Sequence, residues 1–365
     1  MSEQKYFDVV VIGAGPAGSN FARLIDSTRY RVLVVDGAQG KEKVCGGLIS
    51  PDAQDMLARY DISLPKDILV SPQLFSVRTI DLRDGYTRYY RRNYMNVSRE
   101  RFDTFLKDMI PQSVNIVKAR CRSIQRTAEG FSLNLSGDVN ETVTCRYLVG
   151  ADGASSIVRR TMYPHAEIER YTAIQQWFDA SDENPYYSCV FDNATSPGCS
   201  WIFFKDGSLV FGGAFAVQGS RDAFEAQKNK LIEFGIVPKG IFERPTKTEA
   251  CQVCRPHIMS GVCFGTDGAY LIGEAAGLIS PSSFEGISYA LHSGQSLAEA
   301  FNRHSRTARV TAAYRRRVAH LRRKVQIKCI KRPFMYQPIL RRLVMKSGLM
   351  SVNVQKNNAG GGKET

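Results

Sequence analysis

The fold is decided by residues 7–18, which read FDVVVIGAGPAG. Their short apolar run, rich in β-branched side chains, is typical of a buried parallel strand. The run leads directly into three glycines. Gly13 permits a tight turn, Gly15 lets backbone amides approach a pyrophosphate, and Gly18 lets the following helix pack closely on the strand. The stretch therefore predicts a strand, a phosphate-binding turn and a helix.

A second apolar strand completes this unit. Residues 31–35 read RVLVV and lead into Asp36, eighteen residues beyond Gly18. A carboxylate at that position is placed to accept hydrogen bonds from ribose hydroxyls, while the phosphates lie at the positive end of the helix dipole. A glycine-rich turn without a ligand is the alternative. Strand, glycine triplet, helix, strand and acid in this order predict a dinucleotide site.

Two later stretches repeat the pattern of a buried strand that leads into a turn of small residues and a helix. Residues 148–156 read LVGADGASS, and residues 269–277 read AYLIGEAAG. Pro281 and residues 285–291, EGISYAL, follow the second of them. The first triplet does not distinguish NAD from FAD, so the choice between the two cofactors depends on these later turns.

The three turns in this order resemble the FAD-binding fingerprints of the para-hydroxybenzoate-hydroxylase-like flavoproteins. Cys45-Gly46-Gly47, shortly after the Asp36 strand, resembles the flavin loop of the geranylgeranyl reductase family, and the pattern from Tyr6 to Leu291 is most similar to the CbrA-type members of that family. The resemblance implies an α/β fold. Its parts are a GxGxxG Rossmann-like FAD-binding domain, an antiparallel β-sheet substrate domain and a C-terminal helical region.

The resemblance also divides the chain into discontinuous domains. Three segments form the FAD-binding domain, namely residues 1–70, 96–165 and 256–300. Two segments form the substrate domain, namely residues 71–95 and 166–255. A basic helical region over residues 301–350 and a flexible tail over residues 351–365 complete the expected organisation.

The residues that would hold FAD follow from the same resemblance. The ADP half would lie on Gly13, Gly15, Ala17, Gly18 and Asp36. The ribityl chain and the isoalloxazine ring would lie against Cys45, Gly46, Gly47, Gly273, Glu274, Gly286 and Ile287. The family usually has Asp where Glu274 stands, so the contact of this longer side chain with a ribityl hydroxyl must be reached differently.

Two further residues have roles implied by the family. Arg99 matches an arginine at the start of a helix that reaches back to FAD, and Ser98 before it is a plausible N-cap. An exposed helical arginine is the alternative. Asp152 lies in the second turn, where it either organises the backbone between Gly150 and Gly153 or contacts the cofactor.

The middle of the chain, residues 172–217, reads as antiparallel strands rich in aromatic side chains, with a hairpin turn at Lys205-Asp206-Gly207. In the reductase family a Tyr-x-Trp-x-Phe motif lines an isoprenoid cavity. Here Trp201 and Phe203 match, and Cys199 replaces the tyrosine. Trp201, Phe203 and Cys45 are the catalytic candidates. Ordinary packing in the sheet is the alternative for the two aromatic residues, and for Cys45 a close fit against flavin competes with proton donation.

Most of the net charge of +14 lies near the C-terminus. Residues 303–346 contain fifteen Lys or Arg and no Asp or Glu, which leaves the rest of the chain nearly neutral. Pro333 and Pro338 predict at least two helical pieces there. Basic residues beside an apolar stripe favour an anionic membrane surface as partner. A solvated helical face is the alternative, and no recognised nucleic-acid module accompanies the segment, so no nucleic-acid partner is expected.

The nine cysteines are irregularly spaced, which favours reduced thiols in a cytoplasmic protein. No apolar run is long enough for a membrane span, so any membrane contact would be peripheral, on the inner face of the membrane. Cys251, Cys254, His257 and Cys263 raise the possibility of a zinc or redox site. Incidental core thiols are favoured over a metal site, and no metal is expected.

The resemblance, together with these features, implies an FAD-dependent oxidoreductase that acts on CH–CH groups. Hydride would pass from reduced flavin N5 to a C=C bond of a prenyl-type or other apolar substrate, with electrons from NAD(P)H or a protein donor. A flavin monooxygenase or halogenase acting on an aromatic substrate is the second hypothesis. A flavoprotein sensor with little turnover is the third, because relatives on one fold differ in chemistry.

Overall fold

The computed structural model describes residues 5–37, 44–166, 168–180 and 186–353. Within them the chain forms two large β-sheets with helices packed around them. The strands are β1 (Lys5–Ile12), β2 (Val32–Val35), β3 (Leu48–Ile49), β4 (Leu74–Asp81), β5 (Tyr86–Asn96), β6 (Asn115–Val117), β7 (Ala119–Arg126), β8 (Phe131–Gly137), β9 (Glu141–Gly150), β10 (Ile168–Asp179), β11 (Tyr186–Phe191), β12 (Ser200–Lys205), β13 (Ser208–Ala216), β14 (Lys247–Pro256), β15 (Gly265–Thr266), β16 (Ala269–Leu271) and β17 (Ser351–Val352).

The helices of the described residues are concentrated against the first sheet and at the C-terminus. They are α1 (Pro16–Leu24), α2 (Pro51–Arg59), α3 (Arg99–Asp108), α4 (Ile157–Met162), α5 (Ser220–Glu233), α6 (Ile287–Arg303), α7 (Thr307–Tyr336) and α8 (Pro338–Ser347). Short 3₁₀ turns cover Lys66–Ile68, Gly153–Ser155 and Gly273–Ala276.

The first sheet has the strand order β15-β16-β9-β1-β2-β6, and β7 and β8 extend it from β9. β1 pairs in parallel with both β2 and β9, and β16 pairs in parallel with β9. Because helices cover this parallel core, the side chains of Val9, Val10 and Val11 are completely buried. The carboxyl ends of β1, β2, β9 and β16 thus lie along one edge, where all three predicted turns begin.

The second sheet has the order β14-β10-β13-β12-β11-β4-β5-β17, with β3 paired to β5. The predicted middle strands are confirmed, and so is the hairpin between β12 and β13, where Asp206 and Gly207 both have positive φ. One pairing departs from the antiparallel expectation, because β11 runs parallel to β4. The two sheets together give the predicted α/β fold with a second, mainly antiparallel, sheet.

The C-terminal region differs from the sequence prediction at two points. Pro333 does not break the helix, since α7 continues through it to Tyr336, whose buried ring and hydrogen bond to Ser282 anchor the last turn. The predicted break at Pro338 is confirmed as the start of α8. Ser351 and Val352, predicted as flexible tail, instead pair with β5, and residues 354–365 lie outside the described residues.

Two further expectations concern reduced cysteines and the lack of a membrane span. The nine cysteines, all within the described ranges, form no disulfide with one another. None of the helices described here has both the length and the apolar composition that crossing a bilayer requires.

Candidate active site

The turn between β1 and α1 is shaped by its glycines. Gly13 has a φ of +106°, and a Cβ on Gly18 would collide with the carbonyl oxygen of Gly13. A Cβ on Gly15, by contrast, would meet no protein atom within 4 Å. Pro16 begins α1, and no described side chain caps its first amides. The turn therefore presents unclaimed N–H groups to open space, which fits a pyrophosphate.

The two neighbouring predicted residues lie beside this turn. Asp36 follows β2, with its carboxylate 3.4 Å from Nζ of Lys107 on α3. Ala17 on the first turn of α1 is buried against the third glycine turn, because a Cβ on Gly273 would come within 2.8 Å of the Ala17 Cβ. The first and third turns are thus in contact, and Asp36 flanks them from the adjacent strand.

Asp152 has two differently used oxygens. Its Oδ2 accepts a hydrogen bond of 2.7 Å from the Ile157 amide at the start of α4. Its Oδ1 is buried and has no partner among the described residues. Burial also raises the pKa of this carboxyl group. One oxygen therefore organises the turn, and the other is available to a ligand.

Glu274 contacts the second sheet through one of its carboxylate oxygens. The side chain is buried, and its Oε1 accepts a hydrogen bond of 3.0 Å from the backbone amide of Cys254 on β14. Glu274 thus ties the third turn to the second sheet. Gly273 donates its amide to Oγ of Ser293, and Gly286 precedes Ile287 at the start of α6, where no described side chain caps the helix.

The predicted flavin loop, Cys45-Gly46-Gly47, is bordered by two cations. Arg99 begins α3 after the predicted N-cap Ser98, hydrogen-bonds the thiol of Cys45 and pairs with Asp103 at 2.9 Å. Burial opposes its charge, but Asp103 and Cys45 outweigh that effect and raise the pKa of Arg99. Arg99 is therefore held against the loop rather than exposed, which excludes the exposed-helix alternative.

Lys205 is the second cation, and sequence reasoning missed it by treating it as a turn residue. Its Nζ donates to the carbonyl oxygens of Gly46 at 2.8 Å and Val97 at 2.6 Å. Burial lowers the pKa of Lys205 to about 8. The signal was present in the two-residue period of β12, which places Lys205 on the same face as Trp201 and Phe203.

Phe203 and Trp201 both lie on this face of the second sheet. Phe203 is buried, and a Cβ on Gly46 would come within 2.8 Å of its ring. Trp201 donates its indole N–H to Oε1 of Gln175 at 3.0 Å and covers Gly212. The face that carries the two predicted aromatic residues is thus laid directly against the predicted flavin loop.

A buried polar group on the same side was also not predicted. Tyr94 donates a hydrogen bond of 2.6 Å to Oε1 of Glu285, and Arg92 contacts both oxygens of that carboxylate at 3.0 and 2.9 Å. Burial raises the pKa of Tyr94. The ring of Tyr94 lies 5.5 Å from that of Tyr187, which stacks on Phe203. Glu285 directly precedes Gly286, so this group links the second sheet to the start of α6.

Cys199, the residue that replaces the family's tyrosine, lies just before β12 and is buried. Its sulfur is hydrogen-bonded to the thiol of Cys189 and to the hydroxyl of Tyr336. The hydrogen bond from Cys189 lowers the pKa of Cys199. The thiol at this position therefore takes part in a buried polar contact.

The cysteines considered for zinc are spread over separate environments. Cys254 is buried and contacts Ala154 in the second turn, whereas Cys251 contacts the carbonyl of Val44. His257 lies beyond β14 and contacts Ser260. Over the described part of the chain, no three His, Cys, Asp or Glu side chains are grouped to hold a metal ion.

Comparison with known proteins gives the family. Protein CbrA of Escherichia coli O6:H1 is 41% identical over 355 residues, which cover 95% of this chain and 95% of that protein. The chain belongs to the CbrA family. A family model described as lycopene cyclase protein also matches residues 8–178, which include the first two glycine turns of this CbrA-family chain.

Solved structures share the fold of this CbrA-family chain. A geranylgeranyl bacteriochlorophyll reductase-like protein from Thermoplasma acidophilum has a TM-score of 0.69 at 20% identity, covering 95% of this chain and 88% of that one. PqsL, a probable FAD-dependent monooxygenase from Pseudomonas aeruginosa, has a TM-score of 0.70 at 16% identity, covering 94% and 100%. The predicted Rossmann-like flavoprotein fold is therefore confirmed.

Proposed function

We propose that this chain is an FAD-dependent oxidoreductase that reduces a C=C bond in a prenyl-type or other apolar substrate. One observation carries the proposal, namely that the aromatic face of the second sheet lies against the Cys45-Gly46-Gly47 loop through Phe203 and Lys205. An apolar substrate on that face would be next to a flavin ring held by the loop. The reductase-like neighbour and the matching Trp201 and Phe203 support the same reading.

The residues present fit FAD. The uncapped start of α1 and the open space at Gly15 suit the pyrophosphate, and Asp36 is placed for the adenosine ribose. The unpartnered Oδ1 of Asp152 and the uncapped start of α6 at Gly286 offer an acceptor and donors beside the second and third turns. When bound, FAD supplies hydride chemistry that no side chain performs.

The chain's own residues set the charge at the flavin loop. Arg99 and Lys205 place two cations around Cys45, one through the thiol and the other through the Gly46 carbonyl. Such an arrangement stabilises negative charge that develops beside the loop, because the cations are fixed and partly removed from water. Neither side chain has to move for this, since both are already held by hydrogen bonds.

Hydride added to one carbon of the double bond must be balanced by a proton on the other carbon, so the proposed reaction requires an acid near the same face. The hydroxyl of Tyr94 is held by Glu285, and the thiol of Cys45 is held by Arg99. Tyr94 holds its proton in the hydrogen bond to Glu285, and Cys45 is the second candidate donor at the loop. The rings of Tyr94, Tyr187 and Phe203 lie in sequence beside them, which limits water and suits an apolar chain.

The cofactor part of the proposal is tested with Gly15→Ala. The new methyl group meets no protein atom within 4 Å, and Gly15 has φ −71°, which alanine adopts freely. We expect the apoprotein to keep its melting temperature while the affinity for FAD falls about tenfold or more. Unchanged FAD affinity, measured by titration of the apoprotein, would contradict the assignment of this turn to the pyrophosphate.

The reaction is tested by reducing the FAD-loaded protein without oxygen and adding a prenylated lipid while the flavin absorbance is followed. Anaerobic reoxidation, with one pair of hydrogen atoms added to the lipid by mass spectrometry, is the expected result. A saturated lipid of the same chain length is the control. Reoxidation that instead requires oxygen and an aromatic compound would replace the proposal with the monooxygenase hypothesis. Tight FAD without either reaction would favour the sensor.

A further inference from the structure

The second half of α7, α8 and the turn after them expose an unusual amount of apolar surface. Six side chains define what we term the C-terminal surface, each between 53% and 84% exposed, namely Ile330, Phe334, Ile339, Leu343, Leu349 and Met350. Of the sixteen large apolar side chains exposed in the described residues, nine fall within residues 327–352. The other seven are scattered over the rest of the chain, as is normal for a folded protein.

The exposure follows from how the helices are anchored. Ile339 and Leu343 are four residues apart and share one face of α8. The opposite side of α8 is fixed by a buried ion pair between Arg341 and Asp81 at 2.7 Å, and by the buried Met345. On α7, Ile330 and Phe334 repeat the four-residue spacing. The apolar stripes therefore face outward because the inner sides of the helices already have partners.

Basic side chains lie among these apolar ones. Lys331, Arg342 and Lys346 are exposed, and residues 303–346 contain no carboxylate. Earlier cations of α7 have partners on the body of the protein, for example Lys324 with Asp52 at 2.7 Å. Among the described residues, by contrast, Lys331 and Lys346 have no carboxylate within 4.0 Å, and Arg342 reaches only Asp84 at 3.5 Å. These exposed cations are therefore available to pair with an anionic partner outside the chain.

We propose that the C-terminal surface docks the protein on an anionic phospholipid bilayer. Exposed Ile, Leu, Phe and Met side chains bury area in the acyl boundary, while Lys and Arg between them contact anionic headgroups. A nucleic acid would match the charge but leave the apolar side chains in water. A second copy would match the apolar side chains but bring two strongly basic surfaces together.

The docking surface goes beyond the proposed reaction and stands independently of it. Its residues are all on α7, α8 and the following turn, and none of them contributes to the glycine turns or to the Cys45 loop. A failure of the reductase assay would therefore leave the docking proposal intact, and a failure to bind vesicles would leave the reaction intact.

The test is flotation of the full-length protein with two kinds of vesicle, phosphatidylcholine alone and phosphatidylcholine mixed with phosphatidylglycerol. We expect at least about tenfold tighter binding to the anionic vesicles, and weaker binding when salt is raised from about 0.1 to about 0.5 M. Equal binding to both vesicle types, or binding to neither, would overturn the proposal.

Two sets of substitutions locate the binding. Combined Lys331→Glu, Arg342→Glu and Lys346→Glu should weaken anionic-vesicle binding about a hundredfold or more. Ile339→Ser with Leu343→Ser should weaken it about tenfold at unchanged melting temperature, because both side chains are 61% or more exposed.

A matched control makes the same change in net charge at a different place on the surface. Arg221, Lys239 and Arg244 are exposed on and after α5, and their combined change to Glu should leave binding nearly unchanged. An equal loss in this control would mean that net charge alone drives binding, which contradicts a defined surface. Labelled duplex DNA and single-stranded RNA at the same salt form a second arm. Tight binding of either without vesicle binding, or self-association abolished by the apolar pair, would also overturn the proposal.

Discussion

The turn after β1 and the loop-facing side of β12 both border the candidate cofactor site, but they are built in opposite ways. At the turn, Gly13, Gly15 and Gly18 act through the absence of side chains, and they lie within six residues of one another. On β12, Lys205 and Phe203 act through large side chains that contact Gly46, far away in sequence. The first region is built from main-chain geometry, and the second is built from side chains that are distant in sequence and meet in the fold.

This difference has energetic consequences. A backbone-built site tolerates no added atom where two main-chain segments touch, and its three glycines add no titratable group of their own. A side-chain-built site accepts changes of size more easily, yet it buries charge and so couples to pH. Substitutions in the two regions should therefore fail in different ways.

The largest effect is expected from Gly18→Ala. The new Cβ would overlap the carbonyl oxygen of Gly13 and lie 3.2 Å from the Ala151 Cβ, so both strand ends would have to shift. We expect a loss of about 3 kcal/mol in the free energy of unfolding, measured by urea titration of the apoprotein. Gly15→Ala is the matched control because its Cβ meets nothing. Equal stability of the two variants would contradict the close packing of β1 and α1.

Lys205→Met should have the next largest effect, and the size of the stability difference from wild type depends on pH. Lysine titrates near 10.5 when unfolded, whereas burial lowers the pKa of Lys205 to about 8 in the folded state. Between these values the unfolded chain binds more protons, so this group makes the folded state more stable as pH rises from 8 to 10.5. The free energy of unfolding of wild type should therefore rise by about 2 kcal/mol relative to that of Lys205→Met between pH 8 and 10.

The control for Lys205 is Lys239→Met, which removes an exposed lysine. Its stability should follow wild type across the same pH range, so that the common titration of tyrosines and thiols cancels. A constant difference between wild type and Lys205→Met from pH 8 to 10 would show that the buried amine is not the group that titrates. Chemical denaturation at each pH gives the comparison.

The sequence predicted the backbone-built region well because its signals are local. Strand, glycine triplet, helix and Asp36 occupy thirty consecutive residues, and each has one structural meaning in that order. The later turns at Asp152 and Glu274 were found for the same reason. Pro333 was misjudged because local helix preference ignores the packing of Tyr336, which holds the last turn of α7 in place.

The side-chain-built region was predicted only where a motif pointed to it. Trp201 and Phe203 were found through a resemblance, but Lys205 in the same strand was read as part of a hairpin. Glu285 directly precedes the predicted residues Gly286 and Ile287, but 191 residues separate it from Tyr94, so the sequence does not show that the two side chains meet. The contacts that bury such groups exist only after folding, so a sequence pattern does not show which lysine or tyrosine loses its water.

His292 tests whether the half of the molecule built on the first sheet is sensitive to pH through its helices. It lies on α6, 4.7 Å from the ring of His320 on α7. Burial, together with His320 and Arg59, lowers the pKa of His292 to about 4. The unfolded histidine takes up its proton near pH 6.5, so stability is lost as pH falls from 6.5 toward 4. The expected loss is about 1 kcal/mol, because the partly accessible imidazole is screened by solvent.

His292→Asn should reduce the loss of stability between pH 6.5 and 4 by that amount. His165→Asn, which changes an exposed histidine, should not reduce it. The effect is the smallest of the three because water still reaches the imidazole. Stability curves of the three proteins between pH 7 and 4 give the answer. If His292→Asn loses as much stability as wild type between pH 7 and 4, other groups cause the sensitivity to acid. A smaller loss of stability in His292→Asn would show that a buried side chain in the helix layer makes the half built on the first sheet sensitive to pH.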